Sequence, residues 1–310
     1  MRKTALNAVH ELARRDERVV FLGSDLGPGT LDAMKAEMPD RFFMEGVAEA
    51  NLVGMAAGLA LEGFIPYVNT IATFLTRRCF DQLVIDACLH GAPIRLIANG
   101  GGLVYAPLGP THQAIEDLAI LRAVPGMTVI APADADEMAR LMPLTLDHPG
   151  PIYIRLGKGH DPIVSDPSIP FAIGRGLTLR RGDAALLLTT GVTLKLALEA
   201  ADRLSARGLD CEVLHLPTVK PLDVDAVLQA ARRTPVAVTV EEHSVIGGLG
   251  GAVAEALAES GAGCRLRRLG IPDVFAERYG SQADLMRHFG ITADAVVEAV
   301  VEASEAVEAP

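Results

Sequence analysis

Along the chain, short apolar runs alternate with stretches whose apolar residues recur every three or four positions. Arg18-Val19-Val20-Phe21-Leu22-Gly23 reads as a buried strand ending on a glycine turn. A helix of small residues follows over 49–62, then a strand at Ile65-Pro66-Tyr67-Val68-Asn69. The pattern continues with a helix over 74–90, a strand at Ile94-Arg95-Leu96-Ile97-Ala98 and a helix-like stretch over 115–121. Thr128-Val129-Ile130-Ala131-Pro132 and Ile152-Tyr153-Ile154-Arg155-Leu156 are further strands. Residues 157–181, rich in Gly, Pro, Asp and Ser, have no periodicity. A second series then opens with Ala184-Ala185-Leu186-Leu187-Leu188-Thr189-Thr190-Gly191 and continues through Val213-Leu214-His215-Leu216 and Val236-Ala237-Val238-Thr239-Val240.

Strands alternating with helices predict an α/β fold of two domains, each a mostly parallel sheet flanked by helices. The break between the two series puts the first domain at 1–165, a linker at 166–174 and the second domain at 175–310.

Composition narrows the class of function. The net charge of −11 leaves no basic stripe to displace counterions from a nucleic acid. Cys79, Cys88, Cys211 and Cys264 form no C-x-x-C pair and read as free thiols of a reducing cytosol. The N-terminus has no apolar signal core, and the longest apolar run, 52–61, is about half a membrane span. A cytoplasmic chain with no membrane partner is expected.

Several residues invite chemistry, each against a plainer reading. Glu49 opens the small-residue helix, either as a helix-start acid favoured by the macrodipole or as a buried functional carboxyl. Phe74 is either core or a ring platform. His112 sits in Gly109-Pro110-Thr111-His112-Gln113, where Pro110 stiffens the loop; it is either solvent-exposed or placed to donate a hydrogen bond or move a proton near neutral pH. Arg155 ends a buried strand, where α/β sheets bind ligands, and reads as an anion contact or as an ordinary ion pair. Ser24 and Asp25 follow the first strand at a similar edge. Gly247-Gly248-Leu249-Gly250-Gly251 lacks the G-x-G-x-x-G spacing and follows Glu241-Glu242, so it reads as a turn into a helix.

Taken in order, six segments carry a resemblance. They are Met44-Glu45-Gly46-Val47-Ala48-Glu49-Ala50-Asn51, Thr73-Phe74-Leu75-Thr76-Arg77-Arg78-Cys79-Phe80-Asp81-Gln82, Leu108-Gly109-Pro110-Thr111-His112-Gln113, Val219-Lys220-Pro221-Leu222-Asp223, Glu241-Glu242-His243-Ser244-Val245-Ile246-Gly247-Gly248 and Leu269-Gly270-Ile271-Pro272-Asp273. Over nearly its whole length the chain resembles the pyrimidine-binding and C-terminal domains of the transketolase family, and it is also similar to deoxyxylulose-phosphate synthases. The resemblance implies a thiamine-diphosphate-dependent transferase that moves a two-carbon ketol unit from a ketose to an aldehyde. It gives Glu49 the family's catalytic role, bonding N1′ of the aminopyrimidine and favouring the imino form that takes the thiazolium proton. It places Phe74, Arg77 and Asp25 at the cofactor, and Arg155, Ser24 and His112 at the substrate, with His112 also catalytic.

The same resemblance implies partners. The family's diphosphate and Mg2+ site carries a Gly-Asp-Gly motif, whose nearest approach here, Gly182-Asp183-Ala184, falls in the wrong domain. The Mg2+ ligands are therefore expected from a second, N-terminal-type subunit, within a heterotetramer in which this chain also self-associates. Two departures bear on the substrate. Leu108 stands where the family has an aspartate and cannot accept a hydrogen bond. Asn99-Gly100-Gly101-Gly102 replaces a stretch that carries phosphate-binding residues in relatives, which leaves the donor's anionic group open between phosphate and sulfonate. Rival readings are a 2-oxo acid dehydrogenase β-subunit, a deoxyxylulose-phosphate-synthase-like carboligase and a non-catalytic regulatory subunit.

Overall fold

The computed structural model describes residues 1–24, 29–157, 159 and 161–308; Asp25, one of the expected cofactor residues, lies outside the described residues. Twelve strands are present among them: β1 Val19–Gly23, β2 Phe42–Met44, β3 Ile65–Ile71, β4 Arg95–Asn99, β5 Thr128–Ile130, β6 Ile152–Arg155, β7 Leu177–Arg180, β8 Ala185–Thr189, β9 Cys211–His215, β10 Thr218–Lys220, β11 Val236–Ser244 and β12 Arg265–Ile271. They form a seven-stranded sheet, ordered β10-β5-β6-β4-β3-β1-β2, and a five-stranded sheet, ordered β12-β11-β8-β9-β7. Both are parallel except at one edge each, where β10 runs antiparallel to β5 and β7 antiparallel to β9. The central strands β1, β4, β8 and β9 are buried at every position, as sheets covered on both faces require. The expected α/β architecture with flanking helices is observed.

Differences from the expected elements are local. β2, β7, β10 and β12 carry no apolar run strong enough to stand out. The helix expected over 74–90 is three pieces, Ala72–Arg77, Phe80–Gln82 and a π-helical turn over Leu83–Leu89. Its first break falls at Cys79, whose backbone leaves helical geometry at φ −135° and ψ 25°.

The carboxyl ends of the first sheet's strands carry polar residues that bond one another. The amides of Asn69 and Asn99 exchange hydrogen bonds of 3.3 and 3.1 Å, and the Ser24 hydroxyl donates to Thr70 Oγ1 at 2.5 Å. Beyond β4, the three glycines have a steric role. A Cβ on Gly101 would meet Arg155 Nε at 2.2 Å, and one on Gly102, at φ +62°, would meet the Glu242 carbonyl at 2.7 Å. The loop can lie across the seam between the two halves only because these side chains are missing.

Candidate active site

Glu49 is the first residue of the helix Glu49–Leu61, and its side chain is 3% exposed. The positive end of the helix supports a charge there. Its ionic partner is Arg78, whose Nη1 donates to Oε2 at 3.3 Å from a side chain that is 47% exposed. The same guanidinium lies over Phe74, with Cζ 3.7 Å from the ring centroid. Phe74 and Arg78 are four residues apart, the spacing that brings side chains onto one face of a helix. On its other flank the Phe74 ring meets the His112 imidazole edge to face, with centroids 5.1 Å apart. Three of the residues expected at the site, Glu49, Phe74 and His112, are therefore gathered into one cluster, with Arg78 joining them. Nearby, burial and the Glu49 charge push the Cys79 thiol up to about 12, so it stays a neutral wall.

The loop that carries His112 is held at its base and along its back. Gly102 and Ala114 pair through two backbone hydrogen bonds of 2.9 and 3.0 Å. Gly109, at φ +79°, starts the 3-10 turn Pro110–His112, and a Cβ there would press on the Tyr279 ring at 2.9 Å. Thr111 Oγ1 lies 2.9 Å from His112 Nδ1. Arg77 is the clamp. It pairs with Glu116 and donates from Nη2 to the Gln113 carbonyl at 2.9 Å. Arg77, expected beside the cofactor ring, thus binds the back of the loop, and the guanidinium on the ring platform belongs to Arg78.

Arg155 departs further from expectation. It is 7% exposed, with Nη2 donating to the carbonyls of Ala114 and Glu242 at 3.0 and 2.8 Å and Nε 3.0 Å from Asp117. Tyr153 donates to the same carboxylate at 2.7 Å. Arg155 therefore knits the two halves and offers no guanidinium face at the cluster. The strand-end rule locates the residue correctly, but the second half of the chain covers that strand end. Ser24 is buried and bonded to Thr70, outside the contacts of the Glu49 cluster. Leu108 is 52% exposed on the His112 loop and lines a cavity of about 170 Å³ with Asn99, Gly100, Tyr105 and Arg2.

Open polar atoms also lie beside the cluster. Among the described residues, Thr73 Oγ1 and both amide atoms of Gln113 are buried with no hydrogen-bond partner, and these are the sequence neighbours of Phe74 and His112. A buried carboxylate, an aromatic platform and unpaired polar atoms suit a flat heterocycle that carries both donors and acceptors, as an aminopyrimidine does. No group of three or more His, Cys, Asp or Glu among the described residues stands close enough to hold a metal ion. No helix among them is long and apolar enough to cross a membrane.

Both halves of the chain match known families. Residues 1–162 match the family "Transketolase, pyrimidine binding domain", and residues 174–296 match "Transketolase, C-terminal domain". The chain belongs to the transketolase family. It is 38% identical over 306 residues to the 6-deoxy-6-sulfo-D-fructose transketolase subunit of Clostridium sp. strain MSTE9, covering 98% of this chain and 94% of that one. It is 33% identical to an apulose-4-phosphate transketolase subunit of Phocaeicola vulgatus, covering 97% and 96%. A 1-deoxy-D-xylulose-5-phosphate synthase of Geobacter sulfurreducens is 41% identical, but the chain spans only 46% of its length. Among solved structures, a split-gene transketolase described as an inactive beta4 tetramer superposes with a TM-score of 0.90 at 38% identity, over 98% of both chains. This family member thus matches whole transketolase subunits from end to end.

Proposed function

We propose that this chain is the pyrimidine-side subunit of a split, thiamine-diphosphate-dependent transketolase that moves a two-carbon ketol unit from an anionic ketose to an aldehyde. The observation that carries the reading is the cluster of buried Glu49, Phe74 and His112 in a chain that matches whole transketolase subunits. When bound, thiamine diphosphate supplies the carbon acid that attacks the ketone and the cationic ring that holds the electron pair after C–C cleavage. Glu49 would receive the aminopyrimidine N1′ and hold the proton shared with it from its buried position. Phe74 gives the ring a flat wall. His112, fixed by Pro110 and the Arg77 clamp, donates to the sugar's oxygen atoms from the open side.

Magnesium and the diphosphate fall to a second subunit, which joins this chain in a heterotetramer holding two copies of each. Exposed Val47, just before the helix Glu49–Leu61, and exposed Phe80, Ile85 and Leu89, on the helical segments beside it, offer an apolar surface for self-association. The relatives named for sulfofructose and apulose phosphate favour a ketose bearing a sulfonate or phosphate. Exposed Leu108 favours a donor that asks for no hydrogen bond at that position. A second reading, a carboligase that uses pyruvate, is favoured by the synthase relative. Thiamine diphosphate and Mg2+ binding is measured for the chain alone and with a large-domain subunit, together with ketol transfer and CO₂ release from pyruvate. Tight binding and ketol transfer only in the mixture are expected; CO₂ release would select the second reading, and tight metal-dependent binding by the chain alone would overturn the division of labour.

A further inference from the structure

Arg78 stands in an unusual place for a half-exposed surface arginine. Its planar group is pressed on Phe74, with Cζ 3.7 Å from the ring centroid, while Nη1 donates to the buried Glu49 carboxylate at 3.3 Å. Those are the two contacts an aminopyrimidine needs, a stacked face and a proton held between the ring and Glu49. A guanidinium is a fair chemical copy of the N1′-protonated ring's N–C–N edge, since both are flat, delocalised cations that donate to a carboxylate. One slot cannot hold both. The Arg78 side chain is 47% exposed, so it has a route out to solvent that the buried Glu49 lacks.

We infer that Arg78 is a placeholder: it occupies the pyrimidine slot of the free subunit, keeps the Glu49 carboxylate paired, and must be displaced before the cofactor's ring can dock. The inference rests on the thiamine reading above. It concerns a positioning residue, because Arg78 acts through Glu49 and Phe74. Displacement costs the cation its stack and its ion pair, so the ring binds the free subunit less tightly than the slot's shape allows. Ring binding therefore favours an assembly in which further contacts to the cofactor from the partner subunit offset that cost.

The test uses the full chain without a partner and the probe 4-amino-5-hydroxymethyl-2-methylpyrimidine, the ring portion of the cofactor. Affinity is read by calorimetry for the wild type, Arg78→Ala, Arg78→Lys, Glu49→Gln and the Arg78→Ala/Glu49→Gln double variant. Arg78→Ala is expected to tighten binding about tenfold, and Arg78→Lys, which keeps the charge without the flat face, to fall between. Millimolar methylguanidinium should compete with the probe in Arg78→Ala and return its affinity to the wild-type level. The gain should vanish in the double variant. A purely structural arginine would give unchanged or weaker binding in Arg78→Ala with no response to methylguanidinium, and that result overturns the inference. If the wild type binds the probe and Glu49→Gln does not, the thiamine reading stands whatever Arg78→Ala does. If neither the wild type nor Arg78→Ala binds the probe, both are overturned.

Discussion

Two buried glutamates, one opening a helix and one reaching a helix start from strand β11, differ in what holds their oxygen atoms. Glu241, in the second half of the chain, accepts from the backbone amides of Leu249 and Gly250 at 2.7 and 2.8 Å, so the helix Leu249–Ser260 closes both of its oxygens. Glu49, in the first half, is met among the described residues by a half-exposed guanidinium alone. Around Glu241, Asp117 receives Tyr153 at 2.7 Å and lies 3.0 Å from Arg155, which also donates to the Glu242 carbonyl, although Asp117 Oδ1 and Thr239 Oγ1 keep no partner there. Around Glu49, Thr73 and Gln113 keep polar atoms without partners. Burial of an acid at a helix start does not separate a scaffold from a site; the share of its bonding capacity left open does.

Substitutions can break this contrast. Glu49→Gln should lower ketol transfer by about a thousandfold in the assembled enzyme while leaving thermal unfolding unchanged, because the amide cannot share a proton with the ring. Arg155→Met should do the reverse. It leaves Asp117 and Glu242 buried without their cation, costing about 3 kcal/mol in unfolding titrations.

The seam also has a pH signature. Burial pushes the Glu242 carboxyl up to about 7 from an ordinary 4.5, against the opposing pull of Arg155. Between those values the folded chain holds a proton the unfolded chain has released, so stability falls as pH rises through 7. From about pH 5 to about pH 8 the loss is on the order of 2 kcal/mol, and Glu242→Gln should flatten it in denaturant curves. The smallest effect is expected at Glu241→Ala, about 1–2 kcal/mol for an opened helix end, with ketol transfer retained once the chain is folded. A collapse of transfer in that variant would erase the distinction between the two acids.

Much of this is readable from the sequence. The strands buried on both faces announce themselves as apolar runs, and Glu49, Phe74 and His112 come from local motifs that the fold then gathers. Where side-chain contacts differ from expectation the cause is shared: a sequence gives a residue's place but not the direction of its side chain. Arg77 and Arg78 are neighbours, and a break in the helix at Cys79 sits just beyond them. Only the four-residue spacing from Phe74 would have picked Arg78. Arg155 does end a strand, but the cover above it comes from residues near 242, too far along the chain for any motif to announce. Gly100, Gly101 and Gly102 look like a lost phosphate site; Gly101 and Gly102 give clearance to Arg155 and Glu242 at that same seam, and Gly100 gives it to the Tyr105 ring.

The small strand β10 has a consequence of its own. It belongs to the later half of the chain, yet it closes the outer edge of the earlier sheet by pairing with β5. A gene cut at the sequence break near residue 165 would therefore yield a first piece with a bare β5 edge, its amides and carbonyls free to recruit strands from other molecules. Shuffling modules between relatives would meet the same obstacle. The usable splice points lie where the loan of this strand is respected, so the later half would have to travel with the earlier one.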